Sequence, residues 1–253
     1  MRCVYRERKI LCGDYLEVQI FPVFKSQKGR SAKAKPTSEV QEKLNAKNAE
    51  FQITRTMHAN FTRADVEAHL TYNDDTLPDS PEQAQRDAWN FLRRVKRYRA
   101  KHGLPPLKYI SVTEIGNGGR IHHHITMNGG IDRDVLEELW GKGYANTKRL
   151  QFNRSGITGL AKYITKSPLF YKRWNASRNL RKPKITERDG RISQRRVKEL
   201  ANFDSENSQA FEKLYPQFDF TASEPLFDFV ASFPLFNEIN DGHYIRAYFC
   251  RKQ

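Results

Sequence analysis

The amino-acid sequence predicts an α+β fold: a ferredoxin-like (split βαβ) antiparallel sheet with helices packed on one face, followed by a basic and aromatic C-terminal extension. Three observations carry this expectation. Several short stretches alternate apolar and polar residues, as half-buried strands do. Longer stretches between them repeat apolar residues at helical spacing. The segments follow one another as β-α-β-β-α-β-α, the order of a sheet that takes up its helices between strands. The chain is read as N-terminal strands and a basic linker over 1–37, a core over 38–167, and the extension over 168–253.

Taken in order, residues 1–24 read as one or two strands, with Leu16, Val18 and Ile20 alternating against Tyr15, Glu17 and Gln19. Residues 25–37 are basic, small and turn-rich. Ser38 can cap a helix to about Asn60, although the β-branched residues of Ile53–Thr56 disfavour helix. Val66, Ala68, Leu70 and Tyr72 alternate with polar residues, giving a strand. Ser80, Pro81 and Gln83 form a helix start of N-cap, N1 and N3 residues. Ala84, Ala88, Phe91, Leu92, Val95 and Tyr98 then make one apolar stripe, and Gly103 ends it. Arg93, Arg94, Lys96, Arg97, Arg99 and Lys101 form the opposite face, a solvated surface or a nucleic-acid contact.

Residues 107–115 and 120–127 read as a hairpin joined through Gly116, Asn117, Gly118 and Gly119. Asp132 opens a short helix that buries Val135, Leu136, Leu139 and Trp140 and stops at Gly141. Residues 143–151 read as a strand, and 157–166 as a helix with Ile157, Leu160, Ala161 and Ile164 inward. Beyond Pro168 the chain turns basic and aromatic, with short helices near 192–202 and 206–215 and a strand at Tyr244–Phe249.

Among its 253 residues the chain has 44 Lys and Arg against 29 Asp and Glu, a net charge of +15. That excess favours a polyanionic partner, nucleic acid before an anionic membrane surface. No apolar run is long enough to span a bilayer and no signal-peptide pattern is seen. The thiols Cys3, Cys12 and Cys250 are too scattered for a disulfide framework or a zinc site. These features lead to the expectation of a cytoplasmic protein that uses no membrane.

The chemistry centres on His122, His123 and His124. Side chains alternate along a strand, so His122 and His124 share a face and His123 takes the other. Cα atoms two apart lie roughly 6–7 Å from one another, within reach of one ion. Glu114 closes the neighbouring strand and is placed to complete a site of two imidazoles and a carboxylate; its bland alternative is a cross-strand partner for Arg120. Such a donor set with open positions suits Mn²⁺ or Mg²⁺ on a phosphate, and zinc also fits. Tyr163 lies at the edge of the apolar stripe of the last core helix, one turn from Lys166 on the same side. A phenol is a weak nucleophile unless a metal, a lysine or a base assists it.

In combination these blocks resemble the HUH endonucleases, the family of rolling-circle replication initiators, with relaxases and some transposases as relatives. The match comprises His69-Leu70-Thr71-Tyr72 with Asn73-Asp74, then Glu114 with His122 and His124, then Lys162-Tyr163-Ile164-Thr165-Lys166. Ser177–Pro183 also looks like phage and prophage replication proteins similar to the filamentous-phage gene II protein. The resemblance covers roughly residues 60–200. Two features depart from the family pattern. His123 stands where a hydrophobic residue is usual. Gly159 stands where two-tyrosine initiators carry their first tyrosine, so the chain looks like a single-tyrosine enzyme unless Tyr171 or Tyr144 supplies a second.

The resemblance implies a phage- or plasmid-type initiator that nicks and rejoins origin DNA, single-stranded or extruded as a hairpin, in a bacterial host. Glu114, His122 and His124 would hold Mn²⁺ or Mg²⁺, Tyr163 would attack the phosphorus, and Lys166 would assist. The products would be a 5′-phosphotyrosine and a free 3′-hydroxyl that primes synthesis. Lys162, Arg120, Arg173, Trp174, Arg178, Arg181 and Lys182 are candidates for DNA contact, with Tyr171 and Lys172 beside them; Trp174 could equally serve a core. Host helicase and polymerase are implied partners, since the chain carries no Walker motif. Rival readings are an HUH transposase or relaxase, a non-catalytic single-stranded nucleic-acid binder, and a metal-dependent hydrolase in which Tyr163 is structural. His69 is read as structural or DNA-facing rather than as a ligand.

Overall fold

The computed structural model describes residues 4–24, 39–116, 118–153, 156–163, 170, 173–202, 211, 227–238 and 241–251; the side chains of Val40 and Tyr163 lie outside the description. The chain is α+β, with two five-stranded sheets and five helices among the described residues. It forms two compact units: Met1–Lys47 with Arg154–Gly156 and Lys182–Gln253, and Asn48–Asn153 with Ile157–Arg181.

The first unit is built on the sheet order β8-β1-β2-β10-β9, from β1 (Val4–Cys12), β2 (Tyr15–Val23), β8 (Lys184–Asp189), β9 (Phe227–Asn237) and β10 (Gly242–Arg251), all antiparallel. Its core joins Leu16, Val18 and Ile20 to Phe229, Ile245, Ala247 and Phe249, with Val197 and Leu200 of α5 (Gln194–Ala201) packed against them. The strands expected at the N-terminus and near 244–249 therefore lie in one sheet. Strand β8 gives no period-2 signal because both its faces are exposed; it is an edge strand held by Arg6 and Arg8, whose guanidiniums bond Asp189 and Glu187.

The second unit carries the site. Its elements are the C-terminal half of α1 (Glu39–Asn60), β3 (Val66–Leu70), α2 (Pro81–Lys101), β4 (Tyr109–Ile115), β5 (Ile121–Met127), α3 (Arg133–Trp140), β6 (Ala145–Arg149), α4 (Thr158–Tyr163) and the two-residue β7 (Asn175–Ala176). The strand order is β6-β3-β5-β4-β7, every pairing antiparallel. The order along the chain from β3 to α4 is the expected β-α-β-β-α-β-α.

Helix α2 forms where its signals lie. The Ser80 hydroxyl accepts from the Gln83 N–H, Pro81 follows as the first residue, and Gly103 leaves the helix at φ +65°. Its stripe of Ala84, Phe91, Leu92 and Val95 packs with Leu136 and Trp140 of α3 onto Ala68, Leu70, Ile125 and Met127. Full burial of each large apolar side chain stabilises by about 1.5–3 kcal/mol.

One expectation is corrected here. Helices pack on both faces of this sheet, not one. Ile53 and Met57 of α1, with Ile157 and Ala161 beside α4 and within it, cover Ile110 and Val112 on the opposite face. The reason lies in β4, whose Ile110–Glu114 run is buried on both sides, so each face demands a cover. The β-branched Ile53–Thr56 patch stays helical because Ile53 is buried against that face and packing outweighs propensity.

Candidate functional site

The site is laid out by strand register. In the β4–β5 hairpin the Gly116 N–H donates to the Arg120 carbonyl at 2.9 Å, and Gly119 turns the chain at φ +76°. This sets Glu114 opposite His122 and Val112 opposite His124. On its other edge β5 pairs with β3, which sets His69 opposite His124. Residues paired in register share a face, so Glu67, His69, Glu114, His122 and His124 all project on the side covered by α1 and α4. Gly116 lies against the His122 ring, where a Cβ would come into ordinary van der Waals contact with Cε1 at 3.4 Å.

His69, His122 and His124 form a group whose ligand nitrogens all lie within 4.8 Å of one another. The rings of His69 and His124 stack in parallel at 4.7 Å, and the ring of His122 stands on edge to both. The Glu114 carboxylate borders the group, its Oε2 3.7 Å from His122 Nε2 and 3.8 Å from His124 Nε2. His69 is thereby corrected from a structural or DNA-facing residue to a member of the cluster. The sequence places it on the face of Glu67, but only the β3–β5 register shows which histidine it meets.

The donors suit a cation. Burial and the neighbouring imidazoles hold His69 down to about 4, and burial lowers His122 as well, so both are neutral with a lone pair at pH 7. Among the described residues His69 Nε2 is buried without a hydrogen-bond partner, a cost of about 1–3 kcal/mol that a bound ion would remove. His124 Nδ1 donates to Glu67 Oε1 at 2.7 Å, and His122 Nδ1 stands 3.4 Å from the Arg120 carbonyl, so both Nε2 atoms face the group. Glu67 was not singled out from the sequence; its position two residues before His69 in an alternating strand was the available signal. The three imidazoles and the adjoining carboxylate fit a divalent metal ion.

His123 points to the opposite face, as alternation requires. It is fully buried, with Nε2 2.9 Å from the Tyr72 hydroxyl and Nδ1 2.9 Å from Thr113 Oγ1, and burial holds it down to about 3.

Tyr163 is the last described residue of α4, and Lys166, Tyr171 and Lys172 lie outside the described residues. The neighbouring Ala161 packs in the cluster that contains Val112, the register partner of His124. Lys162 is largely exposed and pairs with Glu50 at 3.9 Å. Tyr144 is 70% exposed. Arg120 reaches Asp74 rather than Glu114, which is buried and faces the histidines instead. Arg173 is half-buried, and Trp174 is half-buried against the cluster of Ile53, Met57 and Ile110. Arg178 and Arg181 are exposed, the backbone of Arg181 being held by both ends of the Asn60 amide; Lys182, exposed, belongs to the first unit.

The basic face of α2 is smaller than its sequence implies. Arg99 is buried and donates to the carbonyls of Pro105, Asn128 and Gly129. Arg94 donates to the carbonyls of Leu139 and Trp140 at the end of α3. Arg93, Lys96, Arg97 and Lys101 are exposed. No helix of the described residues is long and apolar enough to cross a membrane.

The family model for replication-associated proteins of the ORF2 and gene II protein type matches residues 68–168, less than half of the chain. That span holds all three histidines of the cluster, Glu114 and Tyr163. No curated protein and no solved structure gives a significant match.

Proposed function

We propose that the protein is a rolling-circle replication initiator that nicks and rejoins single-stranded or hairpin origin DNA by tyrosine transesterification. The observation that carries this reading is the cluster of His69, His122 and His124 inside the segment that matches the replication-associated family. A +15 chain has the charge for such a substrate.

In this reading His69, His122 and His124, with Glu114 beside them, would hold a divalent cation, Mn²⁺ or Mg²⁺. The cation when bound stabilises charge on the scissile phosphate. The Tyr163 phenol oxygen attacks the phosphorus in line, the P–O3′ bond breaks, and the phenolic proton ends on the departing 3′ oxygen. One phosphodiester replaces another, so attack of the 3′-hydroxyl on the tyrosyl ester restores the strand without ATP. Lys166, three residues after Tyr163 in the sequence, would lower the cost of the phenolate by its charge. Lys162, Arg120, Arg173, Trp174, Arg178, Arg181 and Lys182 bind the strand, and a helicase and polymerase come from a bacterial host.

The test is a denaturing gel of protein incubated with labelled single-stranded origin DNA, with Mn²⁺ or with EDTA. A metal-dependent band shifted by the protein's mass, lost in Tyr163→Phe, is the expected result. Cleavage without a shifted band would make water the nucleophile and overturn the tyrosine step. Salt-sensitive binding without cleavage would leave a nucleic-acid binder.

A further inference from the structure

The Glu67 carboxylate has no part in the chemistry above, yet it makes a short contact with the histidine cluster. Its Oε1 lies 2.7 Å from His124 Nδ1, and the two side chains are only 15% and 3% exposed. A carboxylate oxygen accepts and an imidazole N–H donates, so the contact puts the proton on Nδ1 and leaves Nε2 turned to the cluster. The ring has little freedom to turn away from this arrangement, since the His69 imidazole stacks on it with an interplanar angle of 1°. Among the described residues His124 alone of the three has a carboxylate on its Nδ1; His122 Nδ1 has a backbone carbonyl at 3.4 Å. Glu67 and His69 are two apart on β3 and share a face, so one strand supplies both a donor to the cluster and the support of a second donor.

We infer that Glu67 is a positioning residue for a metal centre: it fixes His124 in the Nδ1–H tautomer and presents Nε2 to the cation. This rests on the metal-binding part of the reading above and is independent of the tyrosine step. A partner of this kind orients the ligand ring and raises its basicity, and its loss usually costs 10–100-fold in metal affinity.

The experiment uses the full chain with Co²⁺ alone as the probe, titrated by visible absorption, together with ¹⁵N shifts of the histidine side chains in the metal-free protein. Wild type is expected to bind Co²⁺ with His124 protonated on Nδ1. Glu67→Ala is expected to bind roughly 10–100-fold more weakly, with His124 moved toward a mixture of tautomers. Glu67→Gln, whose amide oxygen still accepts from Nδ1, is expected to keep the tautomer and lose less affinity; it carries the test should Glu67→Ala fail to fold by circular dichroism. Unchanged Co²⁺ affinity in both variants would overturn the assignment of Glu67 and leave the metal centre standing. Weaker binding with an unchanged tautomer in Glu67→Ala would make Glu67 a ligand rather than a positioning residue. Absence of Co²⁺ binding in wild type would overturn the metal centre and this inference with it.

Discussion

At position 123 a third imidazole sits between two members of the cluster and faces away from both. Its two ring nitrogens meet the hydroxyls of Tyr72 and Thr113, so it pins β5 to its neighbours from behind. The residue scale therefore separates three adjacent histidines into two kinds. His122→Ala and His69→Ala are expected to weaken Co²⁺ binding at least as much as loss of an outer-shell partner does, roughly 10–100-fold, with little change in the thermal midpoint. His123→Leu is expected to keep metal affinity and lose about 1–3 kcal/mol in urea denaturation, because the buried Thr113 hydroxyl loses its imidazole partner and Tyr72 loses one of its partners. Equal loss of affinity in His123→Leu would place that ring in the site. Alternation alone was enough to sort His122 and His124 from His123. It could not reach His69, because a strand's own period says which face a residue takes but not which strand lies beside it.

At the scale of elements, α2 shows what charge patterning conceals. Six basic residues run along its polar side, and in sequence they look alike. Arg99 is drawn inward by three carbonyl oxygens of the loops after α2 and after β5, where backbone groups without ladder partners need a donor. The cap signals of the same helix were legible because they act within four residues; the fate of Arg99 depends on loops as much as 30 residues away. Arg99→Met is expected to cost about 2–4 kcal/mol in stability, as several buried carbonyls lose a charged donor. Arg93→Ala with Arg97→Ala, both exposed, is expected to leave stability within about 0.5 kcal/mol and to lower affinity for a single-stranded oligonucleotide. A salt titration checks the pair: the slope of log affinity against log salt should shrink by up to about 1.4 for two lost phosphate contacts. An unchanged slope would remove this face of α2 from the binding surface.

For the whole molecule, each unit folds around strands that the sequence reveals unevenly. The hairpin of β4 and β5 carries its turn glycines and alternation in one short stretch, whereas the first unit's sheet joins β1 to β8 across most of the chain, and no local pattern announces that pairing. His58 and His123 are among the imidazoles that the second unit buries, and their burial makes its stability depend on pH. Burial holds His58 down to about 3, as it does His123, against an ordinary value of 6.5. Below pH 6.5 the unfolded chain takes up a proton at each position while the folded chain does not. The sign follows: both groups favour the fold fully above pH 6.5, and that contribution drains away as pH falls toward 3. Each group contributes a slope of about 1.4 kcal/mol per pH unit in that window. With EDTA present to keep the site free of metal, the urea midpoint is expected to drop steadily between pH 6.5 and 4.5. His58→Leu, which removes one titrating group, should lower the slope by about 1.4 kcal/mol per pH unit, the remainder coming from His123 and from His69 and His122 of the metal-free cluster. A midpoint that stays level across that range, or an unaltered slope in His58→Leu, would show that His58 is protonated as readily in the folded chain as in the unfolded one.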